Sequence, residues 1–276
     1  MKDKANIHSI DIAGDGLQPD LRGPLRSILP LAFANLTQIG FTAVTAVNLS
    51  FNAISALPDV EPRLNGATFR GLDQVRTLDL RANHLSRLGV VDEVNFGSPF
   101  LFTPRLEHLH LDSNQLQSIG PGAFAGLASL SALGLSLNKI ATVGDDSCAV
   151  SRSRDGAVCF AGGELRHVTS IDLSNNELNS VGAGAFSSLK ELVDLNLLGN
   201  AQIAVIGKAA WGTALQKPCS FDAKRQFYQG LCMDSHILAS TCIVHKGAVE
   251  CACAADRFCN SIPQLHLDGG EQGSSV

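Results

Sequence analysis

The sequence is short of aromatic bulk: one Trp, one Tyr and 13 Phe bring aromatics to 5% of 276 residues. Any core must therefore be built mainly from aliphatic side chains. Charge is scarce too, at 17% of residues with a formal net of −5. No Lys/Arg cluster exists to neutralise phosphates, so nucleic acid is not an expected partner. No apolar run approaches the roughly 18 residues of a membrane span. The opening MKDKANIHSIDIAGDG lacks the apolar centre of a secretory signal. Also missing are G-x-S-x-G, H-E-x-x-H, a P-loop and G-x-G-x-x-G at a strand–helix turn, which leaves an enzyme and a bound cofactor without a basis.

Cysteine is absent from residues 1–147 and then frequent. Cys148 and Cys159 flank a short stretch, and Cys219, Cys232, Cys242, Cys251, Cys253 and Cys259 crowd a second one. An even number placed this way reads as disulfides formed in an oxidising compartment. Six cysteines allow about fifteen connectivities, all open at this point. Joining Cys148 to Cys159 would close a loop worth roughly 3 kcal/mol in the chain-entropy account.

What the chain has in abundance is a recurring order of Leu, Val, Ile and Asn. VTAVNLSFNAI (44–54), VRTLDLRANHL (75–85), LEHLHLDSNQL (106–116), LSALGLSLNKI (130–140) and VTSIDLSNNEL (168–178) all fit L-x-x-L-x-L-x-x-N-x-L. LVDLNLLGNAQI (192–203) fits with one extra residue, and IHSIDIAGDGL (7–17) fits with Asp15 in place of Asn. Successive Asn positions lie 31, 31, 24, 38 and 24 residues apart. About 14 residues are therefore added between Asn138 and Asn176, around Cys148 and Cys159. Two units carry GAFAGLASL and GAFSSLKEL, and GATFRGLDQV and LAFANLTQI repeat the same half.

This pattern, over residues 7 to about 206, resembles the leucine-rich repeat family, in particular its extracellular 24-residue class. The resemblance implies an α/β right-handed solenoid with a parallel sheet on its concave face. It also implies a disulfide-bonded cap after the last repeat, although CAC (Cys251, Cys253) falls later than such caps usually place it. The expected organisation is a divergent N-terminal repeat or cap at 1–43, repeats at 44–206 with a Cys-flanked insert at 145–163, a Cys-rich cap at 207–262 and a flexible tail at 263–276. Trp211 is expected to cover the last coil.

In L-x-L the strand alternates, so both Leu side chains point inward and the residue between them points out. One coil cannot cover its own Leu residues, whereas stacked coils can. Asn52, Asn83, Asn114, Asn138, Asn176 and Asn200 are expected inside, as structural residues that pair backbone groups of adjacent coils.

Function is expected in the outward columns of the concave face. The column between the two strand Leu positions reads Asp11, Asn48, Asp79, His110, Gly134, Asp172, Asn196. The neighbouring columns add Arg81, His108, Asp112 and Asp194, and the last outward column exposes Phe51 and Leu137. The face reads as small, polar and slightly acidic. Its candidate ligand residues are Phe51, Asp79, Arg81, His108, His110, Asp112, Leu137, Asp172 and Asp194. A protein or peptide partner with basic groups fits it; a solvated face without a ligand is the plainer reading.

His108, His110 and Asp112 share a strand face but lack a fourth ligand, and Cys242-x-x-His245 near Cys251 is better read as part of a disulfide block, so no metal is expected. Asn35 (NLT) and Asn48 (NLS) are glycosylation sequons. SRSRDGAV (151–158), if pinned by the Cys148–Cys159 pair, could serve as a contact finger. The chain is expected to be an extracellular or cell-surface binding module. An ectodomain fragment of a larger receptor, including a kinase-linked one, is the first alternative, and a cytosolic regulatory scaffold is the second.

Overall fold

The computed structural model describes residues 7–14, 23–29, 31–36, 38–57, 67–89, 98–120, 122–144, 158, 160, 165–200 and 210, and the backbone of 205–206, 242–245 and 248–251. Asp15, Trp211, the finger residues 151–157 and six cysteines (148, 159, 219, 232, 253 and 259) lie outside that set.

The first two coils each give one strand, β1 (Ser9–Asp11) and β2 (Ala46–Asn48). The next five each give an inner strand and a two-residue outer one. These are β3 (Thr77–Asp79) and β4 (Arg87–Leu88), β5 (His108–His110) and β6 (Ser118–Ile119), β7 (Ala132–Gly134) and β8 (Thr142–Val143), β9 (Ser170–Asp172) and β10 (Ser180–Val181), and β11 (Asp194–Asn196) and β12 (Val205–Ile206). A hairpin follows, β13 (Cys242–His245) with β14 (Ala248–Cys251).

The inner strands form one seven-stranded parallel sheet in the order β1-β2-β3-β5-β7-β9-β11. Its register never slips: Val47 aligns with Leu78, Leu78 with Leu109, Leu109 with Leu133, Leu133 with Ile171 and Ile171 with Leu195. A slip of one residue would turn each of these side chains into water, so burial enforces the alignment. In the coil that begins at Leu106, the side chains of Leu106, Leu109, Leu111, Leu116, Ile119, Phe124 and Leu127 are all buried. Each contributes about 1.5–3 kcal/mol, and only because the coils on either side cover it.

The return path of each coil is made of turns and the short outer strands, with a 3-10 turn at Ala67–Phe69. Phenylalanines line it. Phe33, Phe69 and Phe100 stack in sequence at 6.2 and 5.8 Å between centroids, and Phe124, Phe160 and Phe186 do so at 6.4 and 5.4 Å. The added residues after Val143 rejoin this path at Val158, which is buried and bridges both Ile119 and Val143. Val158 donates its amide to Thr142 O and accepts from the Gly144 amide, both at 2.9 Å. The addition therefore ends as an extra strand position between the outer strands β6 and β8.

Candidate protein-binding face

Two hydrogen-bond systems fix the ends of the inner strands. The first uses the recurring asparagines, which are all buried. Asn114 is typical. Its Nδ2 donates to Leu80 O of the preceding coil at 2.9 Å and to its own Leu111 O at 3.0 Å, while its Oδ1 accepts the Leu85 amide at 3.0 Å. Asn83, Asn138 and Asn176 make the same three contacts, and Asn52 and Asn200 make close equivalents.

Because each asparagine takes the carbonyl of the coil before it, the amide two residues upstream of it loses its natural strand partner. A second system satisfies that amide. Asp11, Asn48, Asp79, Asp172 and Asn196, all in the column between the two strand aliphatics, accept the amide two residues on. The distances are 3.1 Å to Ala13, 3.0 Å to Ser50, 2.9 Å to Arg81, 2.8 Å to Ser174 and 3.1 Å to Leu198. Short polar side chains make this i to i+2 bond readily.

The acidic column therefore has a structural duty. Asp79 is not an open carboxylate: it is only 7% exposed and lies beneath Arg81, which holds it through Nε at 3.0 Å and NH2 at 2.5 Å. Burial pushes the Asp79 carboxyl up. The Arg81 hydrogen bonds and charge, with His110 adding to them, outweigh that and hold it below the usual carboxylate value. The Asp79 hydrogen bond likewise raises Arg81, against its partial burial.

The fourth and fifth coils break the column with His110 and Gly134. At the fifth, Asp112 reaches across from the fourth, and its Oδ1 accepts the Ser136 amide at 3.0 Å and the Ser136 hydroxyl at 2.9 Å. A Cβ at residue 134 would sit 2.3 Å from Asp112 Oδ2, so glycine leaves the space that this carboxylate fills. His110 Nδ1 stands 3.9 Å from Asp112 Oδ2, outside hydrogen-bond range. His108 is exposed beside it. Among the described residues, no group of three or more His, Cys, Asp or Glu could hold a metal ion.

Gly134 pairs on its far side with Asp172, and Asp194 pairs with Ser170 on the strand beyond. Asp112, Asp172 and Asp194 thus give the sheet an acidic run from its central strand β5 toward β11, while Asp79 and Arg81 on the β3 side neutralise each other. At the lower margin Arg76 pairs with Glu107, and His167 with Glu191 at 2.9 Å.

Phe51 and Leu137 stand in one column, immediately before Asn52 and Asn138. They are 51% and 55% exposed, with left-handed φ angles of 56° and 54°. The same conformation recurs at Ala82, Ser113, Asn175 and Gly199. Of the two sequon asparagines, Asn35 is exposed on a turn, whereas Asn48 is half-buried in β2 with its oxygen bonded to Ser50. The Phe stack residues Phe100 and Phe160, the amide-capping role of the acidic column and the Asp112–Gly134 exchange were not read from the sequence. A signal for Phe100 was present: it lies six residues before Leu106, as Phe124 does before Leu130.

Parallel coils with a common internal asparagine line define a leucine-rich-repeat solenoid, and the comparisons agree. Residues 98–150 and 158–211 match the leucine rich repeat family model, so the break between the two blocks falls within the added residues. The chain thus carries leucine-rich repeats by sequence and has their solenoid fold. It is 30% identical over 150 residues to mouse Podocan-like protein 1, covering 54% of this chain and 22% of that one. It is 27% identical over 149 residues to human decorin, covering 45% and 42%, and 33% identical over 125 residues to Tsukushi-A of Xenopus laevis, covering 45% and 30%. The chain thus spans less than half the length of these relatives, which are secreted, non-enzymatic proteins. Among solved structures, that of a TLR13–ssRNA13 complex aligns with a TM-score of 0.50 at 22% identity, over 67% of this chain and 22% of that one. It supports the fold alone.

Proposed function

We propose that this chain is a non-catalytic, extracellular protein-binding module that receives a protein or peptide partner with basic groups on its concave sheet. The observation that carries this reading is the pair Phe51 and Leu137. A left-handed backbone costs a residue with a Cβ roughly 1–2 kcal/mol, and the same column holds Asn175 and Gly199, which suit that conformation better. Large apolar side chains here gain little burial in return. Other coils place Ala82, Ser113, Asn175 and Gly199 at this left-handed position, so large, half-exposed apolar side chains there are suited to contact with something else. Asp112, Asp172 and Asp194 give the face its charge preference, and the Asp79–Arg81 pair gives it a neutral centre. The extracellular setting of the relatives supports the compartment, where Asn35 would carry an N-linked glycan away from the binding face.

Selection of displayed peptides on the intact chain tests the proposal. Peptides enriched in Lys or Arg should emerge, and they should bind a Phe51→Asn, Leu137→Asn, Asp172→Ala variant at least tenfold more weakly. Equal binding to both would move the interface off the concave sheet.

A further inference from the structure

We propose that Cys242 and Cys251 are joined by a cross-strand disulfide that closes the hairpin of β13 and β14. The inference rests on the backbone register and is independent of what the concave sheet binds. Cys242 aligns directly with Cys251, followed by Ile243 with Glu250, Val244 with Val249 and His245 with Ala248. Only two residues connect His245 to Ala248, and a two-residue connection makes the closing pair of a hairpin a hydrogen-bonded one.

Antiparallel pairs then alternate. Val244 with Val249 is non-hydrogen-bonded, Ile243 with Glu250 is hydrogen-bonded, and Cys242 with Cys251 is non-hydrogen-bonded again. That third pair is the kind whose Cα atoms approach to about 4.5 Å and whose side chains come closest. A separation of that size falls within the range of about 4.4–6.8 Å that a disulfide spans.

The same register argues against a metal at this place. Positions 242 and 245 lie three apart along a strand and so fall on opposite faces of the ribbon. The hairpin therefore does not gather Cys242, His245 and Cys251 around one centre. Fixing this pair leaves Cys219, Cys232, Cys253 and Cys259, for which about three connectivities remain instead of about fifteen.

Forming the bond removes two protons and two electrons from the two thiols. A disulfide-bearing oxidant takes up both the electrons and the protons: oxidised glutathione becomes two glutathione thiols, or a thiol–disulfide oxidoreductase becomes its dithiol form. The bond would set the pairing of the two strands independently of the solenoid.

The test is peptide mapping of the full chain, produced in an oxidising compartment and alkylated without reductant. Cleavage after Met233 and with trypsin releases residues 234–246, which contain Cys242 alone, and residues 247–257, which contain Cys251 and Cys253. These two peptides should appear as one linked species until reduced, with fragmentation placing the bond at Cys251. In a Cys242→Ser variant, one new free thiol should appear, at Cys251. A bond from Cys242 to any other cysteine overturns the proposal. So does alkylation of Cys242 and Cys251 in the unreduced chain, or thiols there that only zinc protects. Mapping of the unmodified chain decides the matter alone if the variant does not fold.

Discussion

Asp112 caps a coil that is not its own: its Oδ1 holds the Ser136 amide at 3.0 Å, across the space that Gly134 leaves open. Elsewhere in the sheet the cap comes from the same strand, as when Asp172 accepts the Ser174 amide at 2.8 Å. The two arrangements are alternatives for one job, and each excludes the other sterically.

A double-mutant cycle exposes that exclusion. Gly134→Asp should displace the Asp112 carboxylate and lose the Ser136 contacts, at a cost of about 1–3 kcal/mol. Asp112→Ala should cost a similar amount, because the Ser136 amide is left uncapped. Gly134→Asp combined with Asp112→Ala rebuilds the usual column, and it should recover at least half of the loss. Urea unfolding of the variants checks this. Additive single effects, with no recovery in the double variant, would mean that the two residues are not exchanging a role.

The distinction between the two hydrogen-bond systems also shows what the sequence could reveal. The Leu positions and the asparagines are legible because each is set by a fixed offset within every coil, and burial punishes any departure. Phe160 is harder to see, because VCFAGGELRHV places it eight residues before Val168, whereas Phe124 stands six before Leu130. The acidic column is visible as composition, but charge counting treats Asp79 and Asp172 alike. Only the side chain two residues on, Arg81 in one case and Ser174 in the other, decides whether the carboxylate is buried and neutralised. Val158 could not be foreseen, since its place depends on how the added segment returns.

The asparagine line makes a site-specific prediction at Asn114. Replacing it with Ala removes contacts to Leu80 O, Leu111 O and the Leu85 amide, yet the losses are unequal. Leu80 O keeps Asn83 at 3.1 Å, and Leu111 O keeps Asn138 at 3.0 Å. The Leu85 amide has no such second bond among those described. Asn114→Ala should therefore destabilise the chain by about 3 kcal/mol, on the scale of roughly 1 kcal/mol per lost bond and more for the stranded amide. In native-state hydrogen exchange the Leu85 amide should lose protection first, while Ile54, held by Asn83 at 3.0 Å, keeps its own. Uniform loss of protection along the chain would show that the coils respond as one unit and not by local bonds.

The Asp79–Arg81 pair predicts how the middle of the sheet responds to acid. The Asp79 carboxyl is held below its usual value, so the folded state favours its ionised form. A depressed carboxyl contributes stability that is complete above its unfolded value of about 3.9 and is lost as pH falls through the folded one. The wild-type chain should therefore weaken as pH drops below about 4. In Arg81→Ala the side-chain bonds and the guanidinium charge are gone, burial of the carboxyl remains, and only the backbone amide of residue 81 and His110 still favour ionisation. The folded value should rise toward the unfolded one, so the variant should be less stable at neutral pH and lose less on acidification. Arg81→Lys should fall between the two, since an ammonium keeps the charge but not the forked contact. Unfolding free energies measured between pH 3 and pH 6 give the slopes directly. An Arg81→Ala slope as steep as that of the wild type would show that Asp79 is held ionised without the Arg81 side chain.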